Sequence, residues 1–262
     1  MSTDHPWRLA EQTHADLADL NYSVAILPFG CTEPHDLHLP FGTDTYEAEC
    51  IGDRICSHAW GQGARTCLLP TIPYGSTSNQ SGLPLSTNVN PTTLHAFAMD
   101  VIRSLVGHGI DRILLLNSHG GNELKPILRE AYSDVDAALF LCNWYTALDD
   151  VYSEIFDVRE DHAGEMETSI MLAYRPDLVR RSTDGSLACS DGRTNLTRFK
   201  AVNEGWISIT RPWHLLTETT GTADARAATA EKGEQALEIL AQRIGGCLGD
   251  LAGAKRDTRF PF

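Results

Sequence analysis

Two carboxylates, Glu33 and Asp44, and two imidazoles, His35 and His38, fall within the single stretch Pro28-Phe29-Gly30-Cys31-Thr32-Glu33-Pro34-His35-Asp36-Leu37-His38-Leu39-Pro40-Phe41-Gly42-Thr43-Asp44. Oxygen and nitrogen donors of this kind suit divalent zinc, manganese or iron. The stretch follows an apolar run, Val24-Ala25-Ile26-Leu27, that reads as a buried strand. Its glycines and prolines disfavour both helix and ladder pairing, so a structured loop is expected. Such a loop carries part of a metal site, and the rest of the chain must supply the remainder.

Three further residues are candidates. His119 follows the apolar run Arg112–Leu116 in Asn117-Ser118-His119-Gly120-Gly121-Asn122. A lone histidine after a strand is more often a hydrogen-bonded structural residue, but Gly120 and Gly121 leave space beside this ring for a metal or a substrate. Glu167 shares a helical face with Ile170, Met171 and Tyr174. A carboxylate on so apolar a face is costly to desolvate unless a cation or several donors compensate. A buried salt bridge to an arginine is the competing explanation. Glu165 points elsewhere, beside Thr168, Ser169 and Leu172. His162, just ahead of that helix, has a proton affinity suited to general acid or base chemistry, or it serves only as an N-terminal hydrogen-bonding residue. His38 is a candidate supporting partner of the metal site. Cys31 reads as a small residue packed beneath the site rather than as a nucleophile. His5, His14, His58, His95, His108 and His214 have no companions and read as surface or core residues.

The elements that must position these groups alternate. A short amphipathic helix is expected over Pro6–Asp19, strands at Val24–Phe29, Thr66–Ile72, Arg112–Leu116 and Ala137–Cys142, and helices over Thr45–Trp60, Pro91–Leu105, Glu123–Tyr132 and Gly164–Tyr174. A long helix is expected near Ala223–Leu248, and a peripheral arm over Lys255–Phe262. The Pro73–Asn90 loop lacks periodicity and is long enough to suggest function. Residues 181–220 are polar and show no regular pattern. Continuous apolar strands alternating with helices predict an α/β fold, a doubly wound and mostly parallel sheet flanked by helices in a single domain spanning 1–262. Ligand sites in such sheets form beyond the carboxyl ends of the strands. The Glu33–Asp44 and Asn117–Asn122 loops both follow strands, so the fold would bring them to one edge.

Composition narrows the class. The net charge of -14 disfavours a nucleic-acid backbone as partner. No stretch has the apolar length of a membrane span, and the N-terminus lacks a signal-peptide core. Seven scattered cysteines with no C-x-x-C fit free thiols in a reducing cytoplasmic setting. Phosphate-loop, dinucleotide-binding and G-x-S-x-G signatures are absent from the sequence.

The loop quoted above resembles the E-x-H-G-x-H-L-P-x-x-T-D signature of the creatininase (creatinine amidohydrolase) family. Asn117–Asn122 resembles its N-x-H-G-G-N, and His162-Ala163-Gly164-Glu165-Met166-Glu167-Thr168-Ser169 its H-x-G-x-x-E-T-S. Tyr74-Gly75 and Ala230-Glu231-Lys232-Gly233 match as well, so the resemblance covers nearly the whole chain. It implies a doubly wound α/β fold, two divalent metal ions (zinc, manganese or both, with iron as an option), and hydrolysis of a non-peptide C–N amide bond by a metal-bridging hydroxide. It further implies Glu33, His35, Asp44, His119 and Glu167 as metal ligands, Asp44 bridging, with His162 transferring a proton beside the substrate. Members are usually homohexamers, and the substrate is a small amide.

Departures from the pattern bear on that substrate. Creatininase proper has Tyr and Glu where this chain has Gly120 and Gly121, and a substrate-stacking Trp where it has Val158. Trp144 matches another tryptophan of the site wall. Pro34 and Asp36 replace Gln and Gly, and Asp36 would add a carboxylate near the metals if it turned inward. Asn79-Gln80 and Leu85-Ser86 stand where a His and a Gly-Thr are usual. Creatinine is therefore disfavoured relative to another cyclic amide or a formamide. The alternatives are a deformylase or small-peptide hydrolase of the same family, and a binding protein whose catalytic site has drifted.

Overall fold

All six residues of strand β1 (Val24–Phe29) are buried, because a continuous apolar run needs cover on both faces. In the computed structural model, which describes residues 4–18 and 20–262, β1 lies between β2 (Thr66–Leu68) and β3 (Arg112–Asn117), with β4 (Ala138–Asn143) beyond β3. All three pairings are parallel. Phe29 is in register with Asn117, and Asn117 with Asn143. Three strands therefore end level, and the loops that follow them leave from one edge.

The chain order of helices is α1 (Thr43–Gly61), α2 (Pro91–Gly107), α3 (Lys125–Asp134), α4 (Tyr152–Ile155), α5 (Glu165–Tyr174), α6 (Lys200–Asn203), α7 (Trp213–Leu216), α8 (Ala230–Leu240) and α9 (Gly246–Gly253). Alternate strand residues face opposite layers. Val24, Ile26, Leu114 and Leu116 pack with Ile51 and Ile55 of α1, Ile170 of α5, and Leu237 and Leu240 of α8. Ala25, Leu27, Ile113 and Leu115 pack with Leu94, Ala98 and Ile102 of α2 and Ile127 of α3. This is the doubly wound parallel sheet that the alternation of elements predicts. Each fully buried aliphatic side chain in these layers contributes about 1.5–3 kcal/mol relative to exposure.

Helix α5, which carries Glu167, is braced by α8. A Cβ on Gly233 of α8 would lie 2.0 Å from the Ser169 carbonyl oxygen, so only glycine permits this approach.

Several boundaries differ from expectation. Pro6–Asp19 contains short 3₁₀ turns at Leu9–Glu11 and Asp16–Ala18 rather than an amphipathic helix; Asp19 itself, like Met1–Thr3, lies outside the described residues. The Thr13 N–H and hydroxyl both donate to Asp16 Oδ2, at 2.8 and 2.6 Å, a local turn that competes with helix. β2 stops before Pro70, which lacks an N–H, and Ile72 keeps only an isolated bridge to Phe29. The C-terminal helix begins at Ala230, because the Arg226 N–H bonds Asp224 Oδ1 at 3.0 Å in a turn and Thr229 caps the helix from outside. It then runs through a π-turn, Ala241–Gly245, into α9. The C-terminal arm lies beside β4, with the Phe260 and Phe140 rings 6.4 Å apart. Among the described residues no helix is long and apolar enough to cross a membrane.

Candidate metal centre

Asp44 occupies the first turn of α1, where the positive end of the helix favours a carboxylate. Its two oxygens face different partners. Oδ1 lies 3.1 Å from His35 Nε2, and Oδ2 lies 3.3 Å from His119 Nδ1. Glu33 Oε1 is 2.9 Å from the same His119 nitrogen, and Glu167 Oε2 is 4.0 Å from His35 Nε2. Asp44 thus stands between a Glu33–His119 pair and a His35–Glu167 pair. His162 Nδ1 approaches Glu33 Oε1 at 3.7 Å. The fold brings all six residues together at the carboxyl edge of the sheet.

The three rings are oriented alike. His35 Nδ1 lies 3.0 Å from the Glu33 carbonyl oxygen, His119 Nε2 3.1 Å from that of Ser76, and His162 Nε2 2.9 Å from that of Pro34. A carbonyl only accepts, so each of these nitrogens carries the proton and donates, and the other nitrogen of each ring faces the cluster.

Titration of the cluster reflects its crowded charge. Burial would depress His35, but the Asp44 carboxylate outweighs it and raises the imidazolium to about 9. Burial is likewise outweighed at His119, which Glu33 and Asp44 push well up. Asp44 is held below its ordinary value: burial works against this, and His35 and His119 prevail. Glu167 is pushed well up by burial and by Glu160 and Asp44. His162 is lowered, by burial first and then by the neighbouring His35.

Carboxylates and imidazoles at this density hold excess negative charge that protons or cations must balance. Glu33 Oε2 and Asp44 Oδ2 are buried without a hydrogen-bond partner, each a cost of about 1–3 kcal/mol or more if nothing compensates. Donor atoms of His35, Asp44 and Glu167 lie within 4.8 Å of one another, as do those of Cys31, Asp44 and His119. This donor set fits divalent cations of the zinc and manganese type.

A cavity of about 150 Å³ opens beside the cluster, lined by Asp44, His119, Gly120, Tyr145, Glu160 and His162 among others. Gly120 faces it, whereas Gly121 does not. A Cβ on Gly121 would lie 2.4 Å from both His119 Nε2 and the Ser76 oxygen, so this glycine admits the close packing that orients His119. Trp144 lies apart from the cavity. It is 1% exposed in the core and absent from the cavity wall, and its indole N–H donates to Ser118 Oγ at 2.8 Å. Ser118 in turn donates to Glu47 Oε2 at 3.0 Å. The neighbouring Tyr145 takes the wall position.

Asp36 also turns away from the cluster. Its φ of 51° is the left-handed conformation for which glycine is the default, and aspartate tolerates it. Asp36 Oδ2 accepts the Ser190 N–H at 2.7 Å, and its own N–H donates to Thr220 Oγ1 at 2.7 Å. His38 Nε2 meets Thr168 Oγ1 of α5 at 2.7 Å, while Nδ1 faces Asp36 Oδ2 at 3.4 Å. It braces the loop against α5. Glu165 accepts from the Asp157 N–H at 2.7 Å and from Lys232, which accounts for it structurally.

Four residues at or near the centre were not singled out from sequence. Glu47, one turn after Asp44 on α1, is fully buried with Oε1 unpartnered, and burial followed by Glu167 and Asp44 pushes its carboxyl well up. Its i, i+3 spacing from Asp44 was a usable signal. Glu160 accepts the Met166 and Glu167 N–H groups at 2.8 and 3.0 Å, and burial lifts it to about 7. Tyr145 and Trp213 carried no sequence signal.

A profile described as "Creatininase: Creatinine amidohydrolase" matches residues 10–248. A mycofactocin precursor peptide peptidase of Mycolicibacterium smegmatis is 26% identical over 230 residues, 86% of this chain and 82% of that one. A creatinine amidohydrolase of Pseudomonas putida is 28% identical over 250 residues, 86% and 88% of the two chains. A crystal structure described as a candidate creatinine amidohydrolase from Bacteroides fragilis superposes with a TM-score of 0.88 at 30% identity, covering 97% of this chain and 100% of that one. A manganese creatininase shares the fold with a TM-score of 0.72 at 22% identity, covering 95% and 99%.

Proposed function

This chain belongs to the creatininase family of hydrolases, and from that premise we propose that it cleaves a C–N amide bond in a small substrate, a cyclic amide or a formamide. The observation that carries this reading is the placement of Asp44 between His35 and His119, with a different carboxylate oxygen toward each. Glu33 and His119 would hold one divalent ion and His35 and Glu167 a second, with Asp44 shared. Zinc, manganese or both fit the donors, and iron is compatible with them. Bound there, two such ions would acidify a shared water and polarise an amide carbonyl.

The protein's own residues supply the rest. His162 donates through Nε2 to Pro34, which leaves Nδ1 toward the cluster to take up a proton and pass it to the leaving nitrogen. Its lowered proton affinity makes the charged ring a ready donor. Gly120 and Tyr145 would border the substrate, and the small cavity suits a compact polar amide. The Mycolicibacterium relative keeps a small-peptide hydrolase as the second reading, with a deformylase beside it.

We read residues 1–262 as one cytoplasmic domain that assembles as a homohexamer and binds neither nucleic acid nor membrane. The exposed Phe199, Trp206, Ile207, Ile209 and Leu215 support an oligomer, since apolar groups clustered along one surface segment mark contact surfaces. Light scattering on the purified protein tests that assembly.

The function is tested by elemental analysis together with hydrolysis assays on creatinine, other cyclic amides, formamides and short peptides. Two ions per chain with turnover of a cyclic amide or formamide is the expected result. Two ions without turnover of any amide would leave a drifted binding protein. Failure to retain zinc or manganese would overturn the metal site itself.

A further inference from the structure

The chain between Ser190 and Thr222 has little regular structure, yet it is fastened to the candidate centre at several points. Thr220 Oγ1 donates to the Pro34 oxygen at 3.0 Å, the same oxygen that accepts from His162 Nε2 at 2.9 Å. The Thr222 N–H donates to the His162 carbonyl at 3.1 Å. Arg211 pairs with Asp161, the residue before His162, at 2.7 Å. Between these attachments α7 presents Trp213, whose ring stands edge-on to His162 with centroids 4.8 Å apart and planes at 81°. The His162 ring also lies 4.1 Å from that of His35, with the two planes at 34°.

We propose that Trp213 is a positioning residue: it fixes the His162 imidazole so that Nδ1 stays directed at the metal cluster. One hydrogen bond, from Nε2 to Pro34, leaves an imidazole free to swing about its side-chain bonds. The rings of His35 and Trp213 both pack against it and narrow that swing. The indole is 5% exposed and its Nε1 has no hydrogen-bond partner. The ring is therefore held by packing and not by a hydrogen bond of its own, and His162 is among the groups it packs against. Proton transfer depends steeply on such placement, since a displacement near 1 Å can cost on the order of a hundredfold in rate. The role assigned to Trp213 rests on the reading of His162 as the proton-transfer group.

The test compares zinc-loaded wild type, Trp213→Phe and Trp213→Ala, by crystal structure and by hydrolysis of p-nitroformanilide. In the phenylalanine variant an aromatic wall remains, so the His162 ring should hold its orientation and kcat should stay close to wild type. In the alanine variant the ring should rotate or lose a single orientation, with zinc content unchanged. Its kcat should fall about ten- to a hundredfold, with KM altered much less. An unmoved His162 ring in Trp213→Ala overturns the proposal whatever the kinetics. A displaced ring in Trp213→Ala, with no amidase activity in the wild type, would instead uphold the positioning and reject the hydrolase reading.

Discussion

His35 Nε2 stands 3.1 Å from Asp44 Oδ1, both groups fully enclosed, with the opposite nitrogen of the ring bonded to the Glu33 carbonyl. The ring is thereby fixed by the loop that also supplies Glu33, while Asp44 arrives from the first turn of α1. A sharp loop between a central strand and the helix over it places all three donors. Their geometry follows from the sheet edge and not from any single side chain.

Replacing Asp44 should therefore disturb both halves of the centre at once. Asp44→Asn keeps the shape but halves the capacity of the side chain to accept and removes its charge. Metal content should fall from about two ions to fewer than one per chain, with activity down by at least about a thousandfold. Glu167→Gln, which touches only the His35 side, should lose one ion and keep the other. Elemental analysis distinguishes these outcomes, and equal loss in the two variants would contradict the shared role of Asp44.

Metal binding should release protons. Without metal, His35 holds its proton up to about pH 9 because Asp44 stabilises the imidazolium against burial, and His119 is raised in the same way. Both rings must be neutral to coordinate a cation. At pH 7 each entering ion therefore displaces a proton, and affinity should rise with pH, about tenfold per unit for each proton displaced, the His35 contribution levelling off above about 9. Calorimetry of zinc binding in buffers of different ionisation enthalpy measures the release directly. Affinity independent of pH between 6 and 9 would rule out this picture.

Much of this centre was legible from the residues alone. β1 and β3 are short unbroken apolar runs, so their burial, their parallel pairing and the edge shared by their loops all followed from pattern. Glu167 was legible because a carboxylate on an apolar helical face has few affordable explanations. The place of Trp144 is set locally. The chain leaves β4 through a tight 3₁₀ turn (Trp144–Leu148), and which of two adjacent aromatic residues faces the cavity depends on that turn. Residues 181–220 were opaque because their order comes from bonds to distant partners. Ser190 to Asp36 and Thr220 to Pro34 have no periodic trace in sequence.

The packing of α8 on α5 makes a sharp stability test. A methyl group on Gly233 would stand only 2.0 Å from the Ser169 oxygen, so Gly233→Ala must push the two helices apart. The expected destabilisation is about 1–3 kcal/mol from overpacking, despite the better helix propensity of alanine. Because α5 carries Glu167, metal affinity should weaken as well. Denaturant unfolding of the zinc-loaded and metal-free forms separates the two effects, and an unchanged midpoint in both would show that the helices can shift without cost.

Asp36 makes the last prediction, because there backbone strain and tertiary bonding pull in opposite directions. Its left-handed backbone favours glycine, yet its carboxylate accepts from Ser190 and fastens the segment that carries Trp213. Asp36→Gly relieves the backbone and releases the segment, whereas Asp36→Ala releases the segment and keeps the strain. Alanine should therefore cost more than glycine, by roughly 1 kcal/mol. In both variants trypsin should cut faster at Arg193 and Arg198, exposed residues within the loosened stretch. Timed proteolysis followed by mass analysis of the fragments reads this out. If both variants are cut at the wild-type rate, the Asp36 carboxylate does not secure the segment, and the attachment falls to Arg211, Thr220 and Thr222.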